Sequence, residues 1–498
     1  MLTLAAPFAI TPEVYDRVVY DREPLALDPD LLATIERQHA RFLALLAGGA
    51  SCYGVNTGFG AMIGTAIDEA DWPALQRNVL RARAAATGAP FAAEIARGMM
   101  LARLVNLLSG RSAVSAALCQ FIVDRLNDGW TPWVPSLGHG MAGEIIPLCH
   151  MAQTFVGDGF VIGENGARVP AAEALAARGI PPYRPQAKEG LALINGVAAS
   201  PAYAIEVARR VARVAALLTL IAAATVEAMA ASLEPYDAEV GRLRPEPGIA
   251  RVAGRLRRHL VGTTIARVAH QGPISLLVIP QVMGALDDAL AHTRAAIATE
   301  LRSISDNPVF VDDADGGRIL ATGTFHNQHL TLSIEALALA LAHAAGLGVR
   351  RLHRLLDGRY SGLAHQLSLR PGMDAGLVIL HKATLALEAR IMLLAAPVSL
   401  HQGEASFGQE DVAPMIFPAL DRLAEMAELA RLIGAYELYA ACVGLDQRRA
   451  AAGDDVESLK ALVRAVVPPY DGDRSYGPEI EVVESLLDGA AVGSLCAP

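Results

Sequence analysis

A tyrosine in a glycine-rich stretch is the first feature of this sequence that could do chemistry. Three glycines fall within seven residues of the stretch Ser51-Cys52-Tyr53-Gly54-Val55-Asn56-Thr57-Gly58-Phe59-Gly60. Glycine has no Cβ, so it lets the backbone and a ligand approach closely. A phenol held beside a ligand can act as a general base. Taken alone, the stretch also fits a mobile loop whose exposed tyrosine has no role.

A lysine between apolar runs is the second feature. Lys382 lies between the runs Leu377–Leu380 and Leu385–Leu387. Such a lysine either extends its charged end into solvent along an apolar stem or is a buried charge with a function. The sequence leaves both interpretations open.

Other common catalytic signatures are absent from the sequence. His326 and His329 are spaced by three, but no third ligand is recognisable nearby, so we expect structural histidines and no metal site. We find no phosphate-binding loop, dinucleotide fingerprint or nucleophile elbow. The five cysteines are scattered without a C-x-x-C pair, which favours reduced thiols. A formal charge of −10 provides no basic surface for nucleic acid, so we predict a small-molecule partner.

The elements that position these side chains are predicted to be helices. Apolar residues make up 53% of the chain and aromatic residues only 5%, so alanine, leucine and valine supply the core. Alanine and leucine favour helix, which predicts a mainly α protein. Helical spacing is present in Asp28–Leu46, Pro90–Asn127, Pro201–Ser232, Pro280–Ser303, Gln328–Leu356, Leu377–Leu394 and Pro418–Gly444.

Length and hydrophobicity predict the organisation of the chain. Its 498 residues exceed the size of one compact core, so we expect two or three structural regions. We divide the chain into an N-terminal region, residues 1–200, which contains the Tyr53 stretch and is the predicted active-site region, and a helical region, residues 201–498, with a central bundle. Long helices that are apolar on several faces need several partners, which predicts a homo-oligomer with a central bundle. The most apolar stretch, Val214–Val226, is shorter than the roughly 20 residues that cross a bilayer. Residues 1–12 lack a secretory signal pattern. We expect a cytoplasmic protein with no membrane partner.

The Tyr53 stretch resembles the Y-G-V-N-T-G-F-G signature of the aromatic amino acid ammonia-lyases, the family of the histidine and phenylalanine enzymes. That resemblance implies an ammonia-lyase-like fold with a long central helical bundle. It also implies a homotetramer whose active sites are assembled from loops of several subunits, with Tyr53 as the catalytic base. Further segments agree with the family in its own order: Leu75–Asn78, Leu193–Gly196, Pro280–Gly284, Ser303–Pro308, Gly323–His326, Pro371–Gly372 and Gln409–Asp411.

The sequence departs from the family where the family makes its own electrophile. Family members carry Ala-Ser-Gly in a G-S-V-G-A-S-G-D-L-x-P-L context, and this tripeptide cyclises and dehydrates to a methylidene-imidazolone. The methylidene comes from the serine side chain. This chain is one residue shorter there and has no serine in either alignment, so we expect no prosthetic group and no other cofactor. It reads Gly138-His139-Gly140-Met141-Ala142-Gly143-Glu144-Ile145-Ile146-Pro147-Leu148.

The family's substrate-binding positions also change. Its Y-S-L-R run, which supplies a carboxylate-binding arginine, corresponds to Ile274–Leu277 here. The histidine of its N-L-x-x-S-H segment falls at Arg83, which either binds the substrate carboxylate from another wall or is a solvated helix arginine. Lys382 stands where the family has an apolar or neutral residue. Glu410 lies on a segment that lines the family's pocket, so a Lys382/Glu410 pair could hold a polar heterocycle.

With these departures the sequence resembles the ergothionase branch of the family. Enzymes of that branch eliminate trimethylamine from ergothioneine, the betaine of 2-thiohistidine, and give thiourocanate. A quaternary ammonium group has no lone pair to attack an electrophile and leaves as a neutral amine. The resemblance therefore implies a histidine-like betaine as substrate and catalytic roles for Tyr53, Lys382 and Glu410. The predicted substrate-binding residues are Asn195 and Arg83 at the carboxylate, Phe325 and Phe407 at the trimethylammonium group, and Gln271.

Two alternatives stay open. The first is an electrophile-independent lyase or isomerase that acts on another histidine-like substrate, with Tyr53 as base and Lys382 as an electrostatic anchor. The second is a catalytically inactive homologue that serves as a binding protein. Retention of the Tyr53 stretch together with a new lysine argues against simple decay.

Overall fold

Helices build most of this protein, which confirms the predicted mainly α class. The computed structural model describes residues 1–140, 143–267, 272–401 and 403–497. Within these ranges the α-helices are α1 Pro12–Val19, α2 Pro29–Ala47, α3 Trp72–Ala82, α4 Ala93–Leu107, α5 Ala116–Asn127, α6 Ile145–Ala152, α7 Ala171–Ala177, α8 Glu189–Ile194, α9 Ala199–Ala228, α10 Val240–Leu243, α11 Pro247–His259, α12 Ile274–Leu277, α13 Ile279–Leu301, α14 Gln328–Leu355, α15 Gly358–Ser361, α16 Val378–Leu394, α17 Ile416–Asp446, α18 Asp454–Arg464, α19 Gly477–Leu487 and α20 Ala490–Cys496.

The strands are short and form separate pairs. β1 Leu2–Leu4 and β2 Leu25–Leu27 pair in parallel, with Leu2 opposite Leu25. Strands of three or four residues cannot build a core by themselves. The antiparallel pairs are β3 Thr87–Pro90 with β4 Pro135–Leu137, β5 Phe160–Ile162 with β6 Arg168–Pro170, and β7 Val309–Val311 with β8 Arg318–Leu320.

The segment Pro90–Asn127, which shows helical spacing, forms two helices, α4 and α5. Between them Gly110 has a φ of +72° and Ala113 a φ of +56°, which a right-handed helix cannot contain. Ser115 then caps α5, since its hydroxyl accepts the N–H of Leu118 at 3.2 Å. The run Ser109-Gly110-Arg111-Ser112 at the break has no apolar side chain, and its Ser-Gly pair is a turn signal that apolar periodicity alone does not use.

The chain divides into two compact units. Each unit gathers segments that are distant in sequence, and the predicted boundary at residue 200 stays a prediction. The first unit comprises Met1–Glu206, Arg294–Leu332 and Val398–Leu420, and the second comprises Val207–Thr293, Ser333–Pro397 and Asp421–Pro498.

An apolar cluster in the first unit anchors the Tyr53 stretch. Phe42 and Phe310 pack edge to face there, with ring centroids 5.9 Å apart. Because Cys52 and Val55 belong to the same cluster, packing holds the backbone on both sides of Tyr53. The buried members are Phe42, Leu46, Cys52, Val55, Ala113, Ala187 and Phe310.

A buried ion pair lies in the core of the second unit. Arg351 donates to the two carboxylate oxygens of Glu437 at 2.7 and 2.8 Å, and both side chains are fully buried. The hydroxyl of Thr225 donates to the same carboxylate at 2.7 Å. These bonds join α9, α14 and α17 and satisfy the buried carboxylate.

Within the described residues, two helical segments pass a length and composition test for crossing a membrane. They are Glu189–Ala228 and Gln328–Leu355, and their most apolar windows are 83% and 67% buried in the fold. Core helices of folded proteins pass the same test, so length and composition alone do not indicate a membrane span here.

Candidate active site

The phenol of Tyr53 is half-buried and oriented by its own loop. Its oxygen accepts the backbone N–H of Gly60 at 3.0 Å, and its ring meets the ring of Phe59 edge to face at 5.8 Å. Gly54 has a φ of +68°, and a Cβ there would lie 2.4 Å from a ring carbon of Phe59. Glycine is therefore required beside the tyrosine. The Gly60 N–H can stabilise negative charge on the phenol oxygen.

Asn56 closes the Tyr53 loop. Its side-chain oxygen accepts the N–H of Cys52 at 2.7 Å, and its amide donates to the carbonyl of Ala50 at 2.8 Å. Gly58 approaches Met62 so closely that a Cβ would lie 2.4 Å from the Met62 carbonyl oxygen. The structure therefore favours an ordered loop over a mobile stretch.

Arg83 reaches this loop from the C-terminal end of α3. Its side chain is half-buried, and its guanidinium carbon lies 4.7 Å from the centroid of the Phe59 ring. Phe59 in turn contacts Tyr53, so the Phe59 ring lies between the positive charge of Arg83 and the Tyr53 phenol. Two residues that were predicted separately are thus brought into one neighbourhood.

A buried charge cluster holds Asn195 at the end of α8. Nδ2 of Asn195 donates to the carbonyl of Asn307, and the guanidinium of Arg103 donates to the Asn195 carbonyl at 2.7 Å. Lys188 donates to a carboxylate oxygen of Asp306 at 2.6 Å, and Arg103 lies 3.9 Å from the same oxygen. The charged side chains of this cluster are at most 1% exposed. Two buried cations therefore share one buried carboxylate.

Glu144 anchors the segment that stands in place of the family's electrophile loop. One oxygen of this buried carboxylate accepts the N–H groups of Ala198, Ala199 and Ser200, where α9 begins. The other oxygen accepts the side-chain amide of Asn327 at 3.1 Å. A carboxylate at a helix N-terminus satisfies unpaired N–H groups and is favoured by the helix dipole.

Glu410 belongs to a turn that lies next to the Tyr53 loop. Its carboxylate is half-buried and accepts the hydroxyl of Ser406 at 2.7 Å. A Cβ on Gly60 would lie 3.7 Å from the side-chain oxygen of Gln409, which places the two segments side by side. Phe407, in the same turn, is fully exposed in the single chain and has a φ of +56°. The roles of Glu410 and Phe407 stay predictions.

The structure does not assign the other predicted residues to this group. Lys382 is on α16 in the second unit and is exposed in the single chain, so its pairing with Glu410 also stays a prediction. Gln271 lies outside the described residues. The run Ile274–Leu277 forms α12, and Ile274 is exposed. None of its side chains can bind a carboxylate as arginine does, which leaves that role open to Arg83.

Comparison with known proteins identifies the scaffold. Residues 10–466 match the family model for aromatic amino acid lyases. A histidine ammonia-lyase from Aromatoleum aromaticum is 34% identical over 496 residues, which covers 96% of this chain and 92% of that protein. The chain belongs to the aromatic amino acid lyase family. It is therefore an enzyme of a carbon–nitrogen lyase class, as predicted.

Two solved structures show the same fold. Tyrosine aminomutase from Streptomyces globisporus superimposes with a TM-score of 0.89 at 28% identity and covers 99% of this chain and 98% of its own. Ergothionase from Treponema denticola, in complex with desmethyl-ergothioneine sulfonic acid, gives 0.94 at 23% identity and covers 99% of both chains. The predicted ammonia-lyase fold is confirmed.

Residues 138–148 do not fit the prosthetic group of the aromatic amino acid lyases. Met141 and Ala142 lie outside the described residues, but the chemistry follows from residue type, since this segment contains no serine. Without that hydroxyl to lose as water, the methylidene cannot form. A Cβ on Gly143 would lie 3.9 Å from the ring of Phe325. The half-buried Phe325 ring therefore lies beside this segment.

Burial shifts the protonation of groups around the segment. It raises the pKa of Glu144, although the N–H groups that this carboxylate accepts act in the opposite direction. Burial also raises the pKa of Glu300 to about 7, and the charge of Glu144 adds to the shift. The pKa of His139 is lowered by burial, while its bond to the Pro135 carbonyl at 2.8 Å opposes the shift. Glu300 therefore titrates near neutral pH.

We expect Glu300→Gln to flatten the pH dependence of stability. The folded-state pKa of Glu300, about 7, lies above its ordinary value of 4.5, so the folded protein binds this proton more tightly than the unfolded chain. The resulting stabilisation is complete below a pH of about 4.5 and is lost as the pH rises through about 7. Thermal melting should therefore show the variant gaining stability relative to the wild type between about pH 5 and about pH 8.

Glu173→Gln is the matched control for this experiment, because Glu173 is exposed on α7. Its Tm should follow that of the wild type at every pH. A Tm difference between wild type and Glu300→Gln that does not vary with pH would contradict the assignment.

The sequence patterns do not single out three buried polar residues that organise the site. Gln76 and Asp306 lie inside segments that match the family, and Glu144 lies where the sequence departs from the family. The signal that could have found them is a polar side chain between apolar neighbours, because a buried polar group needs partners. Which partners those are depends on the fold.

Proposed function

We propose that this aromatic amino acid lyase eliminates trimethylamine from ergothioneine and releases thiourocanate without a prosthetic electrophile. The observation that carries the proposal is an intact Tyr53 loop combined with a segment, residues 138–148, that has no serine. An enzyme that keeps the base and lacks the electrophile is suited to a substrate whose leaving group does not have to bind an electrophile before it leaves. Likeness in fold to ergothionase, an ergothioneine-degrading enzyme, supports this substrate.

The proposed step is a balanced elimination. The Tyr53 oxygen takes a proton from the β-carbon, and the electrons of that C–H bond form the Cα=Cβ double bond. The Cα–N bond breaks, and its electron pair leaves on the nitrogen of neutral trimethylamine. The N–H of Gly60, 3.0 Å from the Tyr53 oxygen, supports the charge that this oxygen carries before it takes the proton.

The contacts around Tyr53 support the assignment of the carboxylate site. Arg83 lies over Phe59, which contacts Tyr53, so a carboxylate bound to Arg83 would hold the adjacent carbons near the phenol. Asn195, fixed by Arg103, supplies a second polar group. In this proposal both residues orient the substrate, and neither transfers a proton.

The other predicted residues bind the two ends of the betaine. Phe325 and Phe407 present ring faces to the trimethylammonium group, a contact that contributes about 0.5 to 2 kcal/mol when desolvated. Glu410 accepts an N–H of the thioimidazole ring, and Lys382 stabilises negative charge that develops on its sulfur. The position of the Glu410 turn beside the Tyr53 loop supports the first of these contacts.

We also propose that the protein is a homotetramer. In the single chain α16 exposes Ile379, Leu385, Met392 and Leu393, and Lys382 lies on the same exposed face. A helix face that exposes several large apolar side chains indicates a covering partner. Further copies of this chain would cover α16 and bring Lys382 into a shared site.

A second candidate is an isomerase or another electrophile-independent lyase acting on a different histidine-like substrate. Likeness to tyrosine aminomutase at 28% identity favours the isomerase. The ordered Tyr53 loop argues against an inactive homologue, because its hydrogen bonds orient the phenol.

Turnover assays with purified protein separate these candidates. With ergothioneine we expect trimethylamine, measured by mass spectrometry, and a rising absorbance from the conjugated product. Histidine should give no ammonia, and the peptide spanning residues 138–148 should have its unmodified mass. Lys382→Met should lower kcat/KM by roughly 10²-fold. The control Lys460→Met removes a lysine that pairs with Asp446 and should leave activity unchanged. Ammonia release from histidine without trimethylamine release from ergothioneine would overturn the proposal.

A further inference from the structure

A fully buried glutamine joins the Tyr53 loop to the helix that ends at Asn195. Gln76 lies on α3 and has no exposed surface. Its side-chain amide donates to the carbonyl of Gly54 at 2.8 Å, and its side-chain oxygen accepts the N–H of Leu191 at 2.9 Å. Both ends of one rigid amide group are thus satisfied by two different segments.

Close packing leaves this amide little freedom. A Cβ on Gly190 would lie 2.3 Å from the backbone oxygen of Gln76, so α8 packs directly on α3 at this point. A Cβ on Gly54 would lie 3.0 Å from the Leu191 side chain and 2.4 Å from that of Phe59. The backbone of the Tyr53 loop, α3 and α8 therefore meet around the Gln76 amide.

We propose that Gln76 is a positioning residue that sets the Tyr53 phenol relative to Asn195. Gly54 follows Tyr53 directly, and Leu191 is four residues before Asn195, whose N–H bonds the Leu191 carbonyl at 3.0 Å. The amide therefore fixes the distance between the base and the group that orients the substrate. This inference rests on the proposed role of Tyr53 as base. Misplacing a catalytic group by about 1 Å can reduce the rate by about 10²-fold.

Two substitutions distinguish positioning from simple packing. Gln76→Met keeps the shape and removes both hydrogen bonds, so we expect kcat to fall about 10- to 100-fold with KM changed by less than about threefold. Gln76→Glu keeps both functions only when the introduced carboxyl is protonated, because an O–H group can then donate to the Gly54 carbonyl. Burial favours the neutral form of such a carboxyl.

The pH profile is the readout that a purely structural role would not move. The activity of Gln76→Glu relative to wild type should rise as the pH falls from about 8 to about 6, whereas that of Gln76→Met should stay constant. The matched control is Gln120→Met, which removes an amide that bonds Asp124 within α5, and it should match the wild type. A Gln76→Met enzyme with wild-type kcat, or a pH-independent ratio for Gln76→Glu, would overturn the proposal.

Hydrogen exchange tests the same contact without any substrate. Gln76→Met should raise the exchange rate of the Leu191 amide and of the Gly54–Gly60 loop at least tenfold over Gln120→Met. If the wild type does not act on ergothioneine but these amides exchange faster in Gln76→Met, the proposed substrate is wrong and the positioning role of Gln76 is supported. Unchanged exchange rates at both the Leu191 amide and the Gly54–Gly60 loop would disprove the positioning role of Gln76, whatever the substrate is.

Discussion

Tyr53→Phe is expected to reduce turnover by about 10²- to 10⁴-fold, the contribution usual for a positioned general base. The change removes one oxygen and keeps the ring that packs on Phe59 at 5.8 Å. It also leaves the Gly60 N–H without its acceptor. The fold should tolerate this loss, because the loop keeps its Asn56 and Gln76 bonds. Initial rates at saturating and limiting substrate would measure the effect.

The matched control is Tyr360→Phe, which removes the hydroxyl of an exposed tyrosine. It should retain wild-type turnover, and both variants should melt within a few degrees of wild type. A Tyr53→Phe enzyme that retains more than about a tenth of wild-type kcat would remove Tyr53 from the role of base.

Asp306→Asn is expected to lower the free energy of unfolding by about 3 to 5 kcal/mol, because it leaves buried cations without their counter-charge. Lys188 and Arg103 both face this carboxylate and are at most 1% exposed. Arg103 also holds the carbonyl of Asn195 at 2.7 Å. Loss of the carboxylate should therefore weaken substrate orientation as well as stability. Urea unfolding at fixed protein concentration would measure the first effect and KM the second.

Asp158→Asn provides the comparison, since Asp158 pairs with Arg81 at 2.6 Å near the surface. That change should cost at most about 1 kcal/mol. Combining Asp306→Asn with Lys188→Met removes one of the unpaired cations and should recover part of the lost stability. If Asp306→Asn is no less stable than Asp158→Asn, the buried charge cluster does not stabilise the fold as described.

The missing prosthetic group is a property of the sequence alone. A methylidene that derives from a serine side chain cannot form where residues 138–148 contain no serine, whatever the fold. Helix formation was also largely predictable, because the spacing of apolar residues reflects one helix and its buried face. The segments predicted near α2, α14 and α16 agree with the structure to within one residue at each end.

Tertiary structure decided how the separate segments meet. Lys188 and Asp306 are 118 positions apart, and Gln76 and Leu191 are 115 apart, so no local pattern could pair them. At the break between α4 and α5, Ser109-Gly110 signals a turn in the sequence, but the positive φ of Ala113 has no such local signal.

Tertiary structure also decided which of the predicted site residues are exposed in the single chain. Phe407 reads as an aromatic binding residue, yet in the single chain its ring is fully exposed. The sequence by itself thus determined which covalent chemistry is excluded and which segments are helical, since both depend on residue type and local spacing. The buried hydrogen bonds that place Tyr53 near Arg83 and hold Asn195 could be decided only by folding, because long-range packing selects the partner of each buried polar group.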